Sequence, residues 1–124
     1  MKEETRAWFE KALRDFRAAK NSCKAEDYDW TAFQCQQAVE KALKALMIEE
    51  KGKSVKAHEL DFLAREMNLP GQLINLCDEL APAYTATRYP DAEIGEELYN
   101  EETAKKMLQK ADEVLKWIEK KIKS

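Results

Sequence analysis

Three groups of residues in this sequence have types and spacings that could do chemistry. The first is TRYPD, residues 87–91, which carries Arg88. Pro90 biases Tyr89 towards an extended backbone and stiffens the turn. A planar guanidinium on such a turn suits a phosphate or a carboxylate, and the Tyr89 ring offers a face for a base. Arg88 can equally pair with Asp91 or Glu93 and pin the loop, and Tyr84 and Tyr89 can equally be packing residues. The second is His58, the only histidine. Its ordinary pKa lies near neutrality, so beside Lys56 and the Arg88 loop it could donate or carry a proton. The plainer reading is that it borders the helix it opens and bonds a backbone group. The third is the line Gln36, Glu40, Lys44. At about 100° per residue, Ala32, Gln36, Val39, Leu43 and Leu46 share one helical face, and Gln36 is the only polar member. A buried amide without a partner costs about 1–3 kcal/mol. Gln36 is therefore expected to meet a polar group from another element or subunit. Glu40 and Lys44 at its border can also form an ordinary i,i+4 pair.

Other constellations are missing. GKS at 52–54 resembles the end of a phosphate loop, but the earlier glycine and a preceding strand are absent. No serine lies in a nucleophile elbow. Cys23, Cys35 and Cys77 form no CxxC pair, and with one histidine they predict neither a zinc site nor any cofactor. The formal net charge of -3 and a pI near 5.4 argue against coating duplex nucleic acid by bulk positive charge. The charge is uneven: Lys51, Lys53, Lys56 and His58 lie in a window without acid, and residues 91–102 hold six acids and no Lys or Arg. Both windows also read as a solvated loop and a charged helix start. No apolar run approaches the ~20 residues that span a bilayer, and MKEETRAWFEKAL lacks a signal-peptide core. A reduced, cytoplasmic protein is expected.

These residues need elements to hold them. The chain has 124 residues, 44% apolar and 36% charged, with 3 Gly and 3 Pro. It is read as a single domain, 1–124, of long regular elements around one core. Trp8, Ala12, Phe16, Ala19 and Cys23 recur at helical spacing and predict a first helix from about Thr5 to Cys23, either with Thr5 as N-cap or with Glu3 and Glu4 extending it backwards. Asp27 or Asp29 caps a second helix that runs to about Glu50, and Gly52 suits the turn after it. A short third helix covers His58 to Met67, and NLPG separates it from a fourth that extends towards Tyr84, with Pro82 ending or kinking it. Residues 85–99 show no sustained period, and Asn100 opens a last helix, 101 to about 122. No segment alternates with period two. The expected fold is all-α: an up-and-down antiparallel bundle of about five helices, three long and two short.

Taken in order, CQQAVEKALKALMIEEKG, then KAHEL with Leu63 three residues on, then TRYPD, then a helix ending KWIEK resemble the HEPN domain family, named for higher eukaryote and prokaryote nucleotide-binding. WFEKALRDFRAAK also fits the family's first helix, so the resemblance spans about Trp8 to Ile118. It implies a helical bundle that commonly dimerises. It also implies a nucleotidyltransferase partner, encoded alongside as a toxin–antitoxin-like module or fused. A large branch consists of metal-independent RNA endonucleases, whose motif is an Arg, four to six residues, then a His. Here Arg88 is the best match, but positions 93–95 hold Glu93, Ile94 and Gly95, and His58 lies upstream. No other arginine has a histidine at that spacing. The expectation is a noncatalytic module, a homodimer binding a nucleotide or RNA through Arg88, Tyr89, His58, Lys56, Lys44, Glu40 and Gln36. The alternatives are an endonuclease with a nonstandard Arg88/His58 site, or a protein-interaction dimer without a small ligand.

Overall fold

The computed structural model describes residues 1–54, 59–83 and 99–124. Within them lie helices α1 (Glu3–Lys24), α2 (Tyr28–Lys51), α3 (Leu60–Glu66), α4 (Gly71–Leu80) and α5 (Glu101–Lys123), and no strand. The expected all-α bundle is present. Among the described residues no helix is long and apolar enough to cross a membrane.

α1 begins at Glu3, which is the backward extension and not the Thr5 cap, and Thr5 is fully buried. The start is set by a distant element. The N–H of the N-cap residue Lys2 donates to Glu49 Oε1 at 3.0 Å, and its Nζ donates to the Ile48 carbonyl at 3.1 Å. The last turn of α2 thus supplies the acceptor that a local cap would have given. The Lys2 N–H first, and then the Thr5 hydroxyl, holds the Glu49 carboxyl below its usual range, although Thr5 Oγ1 reaches no partner at full hydrogen-bonding distance.

α2 starts after Asp27 as expected, but the Asp27 side chain caps nothing; Thr31 Oγ1 donates to its carbonyl at 3.1 Å. Gly52 ends the helix at φ +79°, and its N–H closes on the Ile48 carbonyl. A side chain with Cβ is strained at that φ, so glycine fits. α3 starts at Leu60, later than the expected His58, and α4 stops at Leu80, two residues before Pro82. Asn100 caps α5 as expected. Its Oδ1 accepts from the Thr103 N–H at 2.9 Å, and Thr103 Oγ1 accepts from the Asn100 N–H at 2.8 Å. This reciprocal pair satisfies two otherwise orphaned donors.

α2 is the central helix and packs against α1, α5, α3 and α4. The expected stripe Ala32, Gln36, Val39, Leu43 and Leu46 is buried, and so are Cys35, Ala38, Ala42 and Ala45. Small residues on these sides let neighbouring backbones approach. Each large apolar side chain taken from water here stabilises by about 1.5–3 kcal/mol. α1 runs antiparallel to α2, tied by a Lys41–Asp15 ion pair and by Ser22 to Gln34 at 2.7 Å. α5 starts at the same end as α2, where Glu101 and Lys105 act electrostatically on Tyr28. The shorter α3 and α4 pack on each other, with Lys51–Glu66 at 3.5 Å and Lys110–Glu79 at 2.5 Å tying them to α2 and α5.

Candidate functional site

The unbroken α2 helix places Gln36, Glu40 and Lys44 on one edge. Each four-residue step turns the line by about 40°, so it winds from the buried face towards α1. Gln36 is 5% exposed, while Glu40 and Lys44 are half-buried. Gln36 Oε1 accepts from Gln37 Nε2 at 2.7 Å. That partner is its neighbour on the same helix, where sequence reasoning placed it on another element or subunit. The pair keeps the Gln36 oxygen bonded from within the same helix.

The expected alternative for the other two residues, a Glu40–Lys44 ion pair, is absent among the described residues. Lys44 instead reaches across to α1, where its Nζ lies 5.5 Å from the centroid of the Trp8 ring. A second ammonium, Lys11 Nζ, lies 6.0 Å from the same centroid. One turn further along the pair of helices, Lys41 holds Asp15. The α1–α2 seam therefore carries three lysines, two beside a half-buried indole and a third neutralised by an aspartate. Trp8 was read from the sequence only as part of the first helix's inner stripe, and Lys11 and Lys41 were not singled out. Lys11 follows Trp8 at i+3, which was a readable signal, whereas the approach of Lys44 depends on the antiparallel register of the two helices.

Lys56, His58, Arg88 and Tyr89, the remaining expected site residues, lie outside the described residues. Among the described residues no cluster of His, Cys, Asp or Glu could hold a metal ion. Two of the three thiols offer no nucleophile: burial pushes both Cys35 and Cys77 up to about 12, which leaves almost no thiolate at neutral pH. What the described seam can do is electrostatic. It can attract and hold an anion next to an aromatic surface.

A family model described as HEPN domain matches residues 5–121. The crystal structure of TT1696 from Thermus thermophilus superposes with a TM-score of 0.89 at 31% identity, over 97% of this chain and 99% of that one. The crystal structure of ST0689, described as an archaeal HEPN homologue, superposes with a TM-score of 0.82 at 29% identity, over 98% of this chain and 99% of that one. No curated protein matches this chain.

Proposed function

Because the chain belongs to the HEPN domain family, we propose that it works as a noncatalytic binding module of that family. It binds a nucleotide or nucleotide-bearing substrate and acts with a separate minimal nucleotidyltransferase in a toxin–antitoxin-like pair, as a homodimer. One observation carries this reading: the only histidine is His58, upstream of Arg88, so the arginine–spacer–histidine order of the family's nucleases is not present in the sequence. Without that histidine, the residues left to the site are suited to binding. Arg88 and Lys56 suit phosphate, Tyr89 suits a base, and the α2 edge of Gln36, Glu40 and Lys44 adds amide, carboxylate and ammonium groups.

A thermal-shift titration with a panel of nucleotides, run on the parent and on Arg88→Ala, tests it. A ligand at 100 times its Kd stabilises the fold by about 2.7 kcal/mol, a readily measured shift. The expected result is a shift with at least one nucleotide that disappears in Arg88→Ala. No shift with any nucleotide would remove the nucleotide-binding reading. The second reading, a protein-interaction dimer in which Gln36 sets register in a helical seam, has less support, because Gln36 is buried within the single chain and bonded to its neighbour Gln37. A nucleotidyltransferase gene beside this one would favour the first reading.

A further inference from the structure

We infer that the outer strip of α2, from Trp30 to Lys44, is the face on which two copies of this chain pair, antiparallel about a two-fold axis at Gln37. The inference rests on the homodimer of the proposed reading and names its face; it needs no nucleotide. Trp30 is the most exposed large apolar side chain among the described residues, at 52%. Its ring meets the half-buried Phe33 ring edge-on, with centroids 5.5 Å apart and planes at 82°. An indole left in water beside a second ring is a surface that a partner covers, and tryptophan is enriched at interfaces. Trp30, Phe33, Gln37, Lys41 and Lys44 fall within an arc of about 80° on the helix. Between Thr31 and Ile48 every other residue is buried except Gln34 and Glu40, at the two margins of that arc.

The spacing and the charges both select a second copy as the occupant. The steps along the strip are three, four, four and three residues, so it reads the same from either end. An isologous interface needs that property, because a position before Gln37 on one copy meets the position equally far after Gln37 on the other. Trp30 and Phe33 occupy one end of the strip, and Lys41 and Lys44 the other. A parallel pair would set lysine against lysine. The antiparallel pair sets Trp30 against Lys44 of the second copy and Phe33 against Lys41 of the second copy, so each ring receives a cation and its apolar stem. Lys44 already lies 5.5 Å from the Trp8 centroid, and the second copy adds another ring to that ammonium. Lys41 arrives neutralised by Asp15. Glu40 falls level with Gln34 of the second copy, so no like charges oppose each other along the strip. At the axis Gln37 meets its own counterpart, and an amide can donate and accept at once.

The test is analytical ultracentrifugation of the full chain over a range of concentrations, with Trp30→Lys, Lys44→Glu, the double Trp30→Lys/Lys44→Glu, and Leu13→Lys. Lys44 also belongs to the proposed nucleotide-binding residues, so the readout is mass and not ligand binding. Leu13 is 42% exposed and lies about 140–160° round α1 from Trp8 and Asp15, which border the strip, so Leu13→Lys is the control. Circular dichroism checks that each variant folds. The expected result is a dimeric parent whose dissociation constant rises about tenfold or more in Trp30→Lys and in Lys44→Glu. The double, which sets a lysine at position 30 against a glutamate at position 44 of the second copy, recovers most of that loss, and Leu13→Lys matches the parent. Recovery cannot come from a fold that was merely damaged. A dimer indifferent to Trp30→Lys, equal weakening in Leu13→Lys, or a double no tighter than the singles overturns this face and leaves the homodimer standing. A monomeric parent overturns the face and the homodimer together and gives the strip to a different protein, while the nucleotide titration still decides the binding reading.

Discussion

Gln36 is buried inside an apolar stripe, and its amide oxygen is bonded by the adjacent Gln37. The arrangement avoids the full cost of an unpaired amide but adds nothing between elements, so the amide is not needed to hold the monomer together. Gln36→Leu replaces it at similar volume, and the half-buried Gln37 can turn its own amide to water. Urea denaturation should show a stability equal to or above the parent, with a change within about 1 kcal/mol. A loss above about 2 kcal/mol would mean that the amide belongs to a core network. At this scale the sequence was readable where one helical period suffices. The period placed Gln36 on the buried face, and it is there. It could not choose the partner, because that depends on a side-chain rotamer of the next residue. Nor could it bring Lys44 to Trp8, because only the packing of α1 on α2 does that.

The turn between α1 and α2 shows what decides an element boundary. The Asp27 N–H donates to the Ser22 carbonyl at 2.8 Å and the Glu26 N–H to the Cys23 carbonyl at 3.1 Å, the paired bonds of a Schellman ending. The residue between them, Glu26, sits at φ +65°. Glycine is the usual occupant there, and a residue with Cβ costs about 1–2 kcal/mol in that region. Glu26→Gly should therefore raise stability by about 0.5–1 kcal/mol after the greater entropy of the unfolded glycine is counted, read as a higher midpoint in thermal unfolding. An unchanged or lower midpoint would show that the Glu26 side chain contributes more than its backbone strain costs. Boundaries written in local chemistry, such as Gly52 and the Asn100 cap, were legible in the sequence. The start of α1 was legible only as one of two alternatives, a Thr5 cap or an extension through Glu3 and Glu4. Its acceptors are Glu49 and the Ile48 carbonyl at the far end of another helix, and no local pattern around Thr5 encodes them.

For the molecule as a whole, helical periodicity was enough to give an all-α bundle, but not its centre. α2 is central because alanines and a cysteine beside its main stripe are buried too, and such small residues carry a weak periodic signal. The core that forms around it encloses Cys35 on α2 and Cys77 on α4. Burial, helped by Cys23 for the first and Asp61 for the second, pushes each thiol from 9.0 up to about 12. A pKa raised on folding means that the native state holds the proton after the unfolded chain has lost it. The contribution to stability is therefore complete below pH 9 and is lost as pH rises towards 12. Within that window each thiol lowers stability by about 1.4 kcal/mol per pH unit, and two together by about 2.7. The buried Tyr99, also raised by burial, acts in the same direction. Against a total of about 5–15 kcal/mol, this slope should unfold the whole bundle cooperatively in alkali. The thiol share is isolated with Cys77→Ala. Packing lost at that site shifts stability equally at every pH, so only the slope reports the titration. Urea midpoints measured from pH 8 to 11 should give a curve shallower than the parent's by about 1.4 kcal/mol per unit above pH 9. Parallel curves would mean that the Cys77 thiol ionises in the native state as easily as in the unfolded chain, and that the core around α4 admits water.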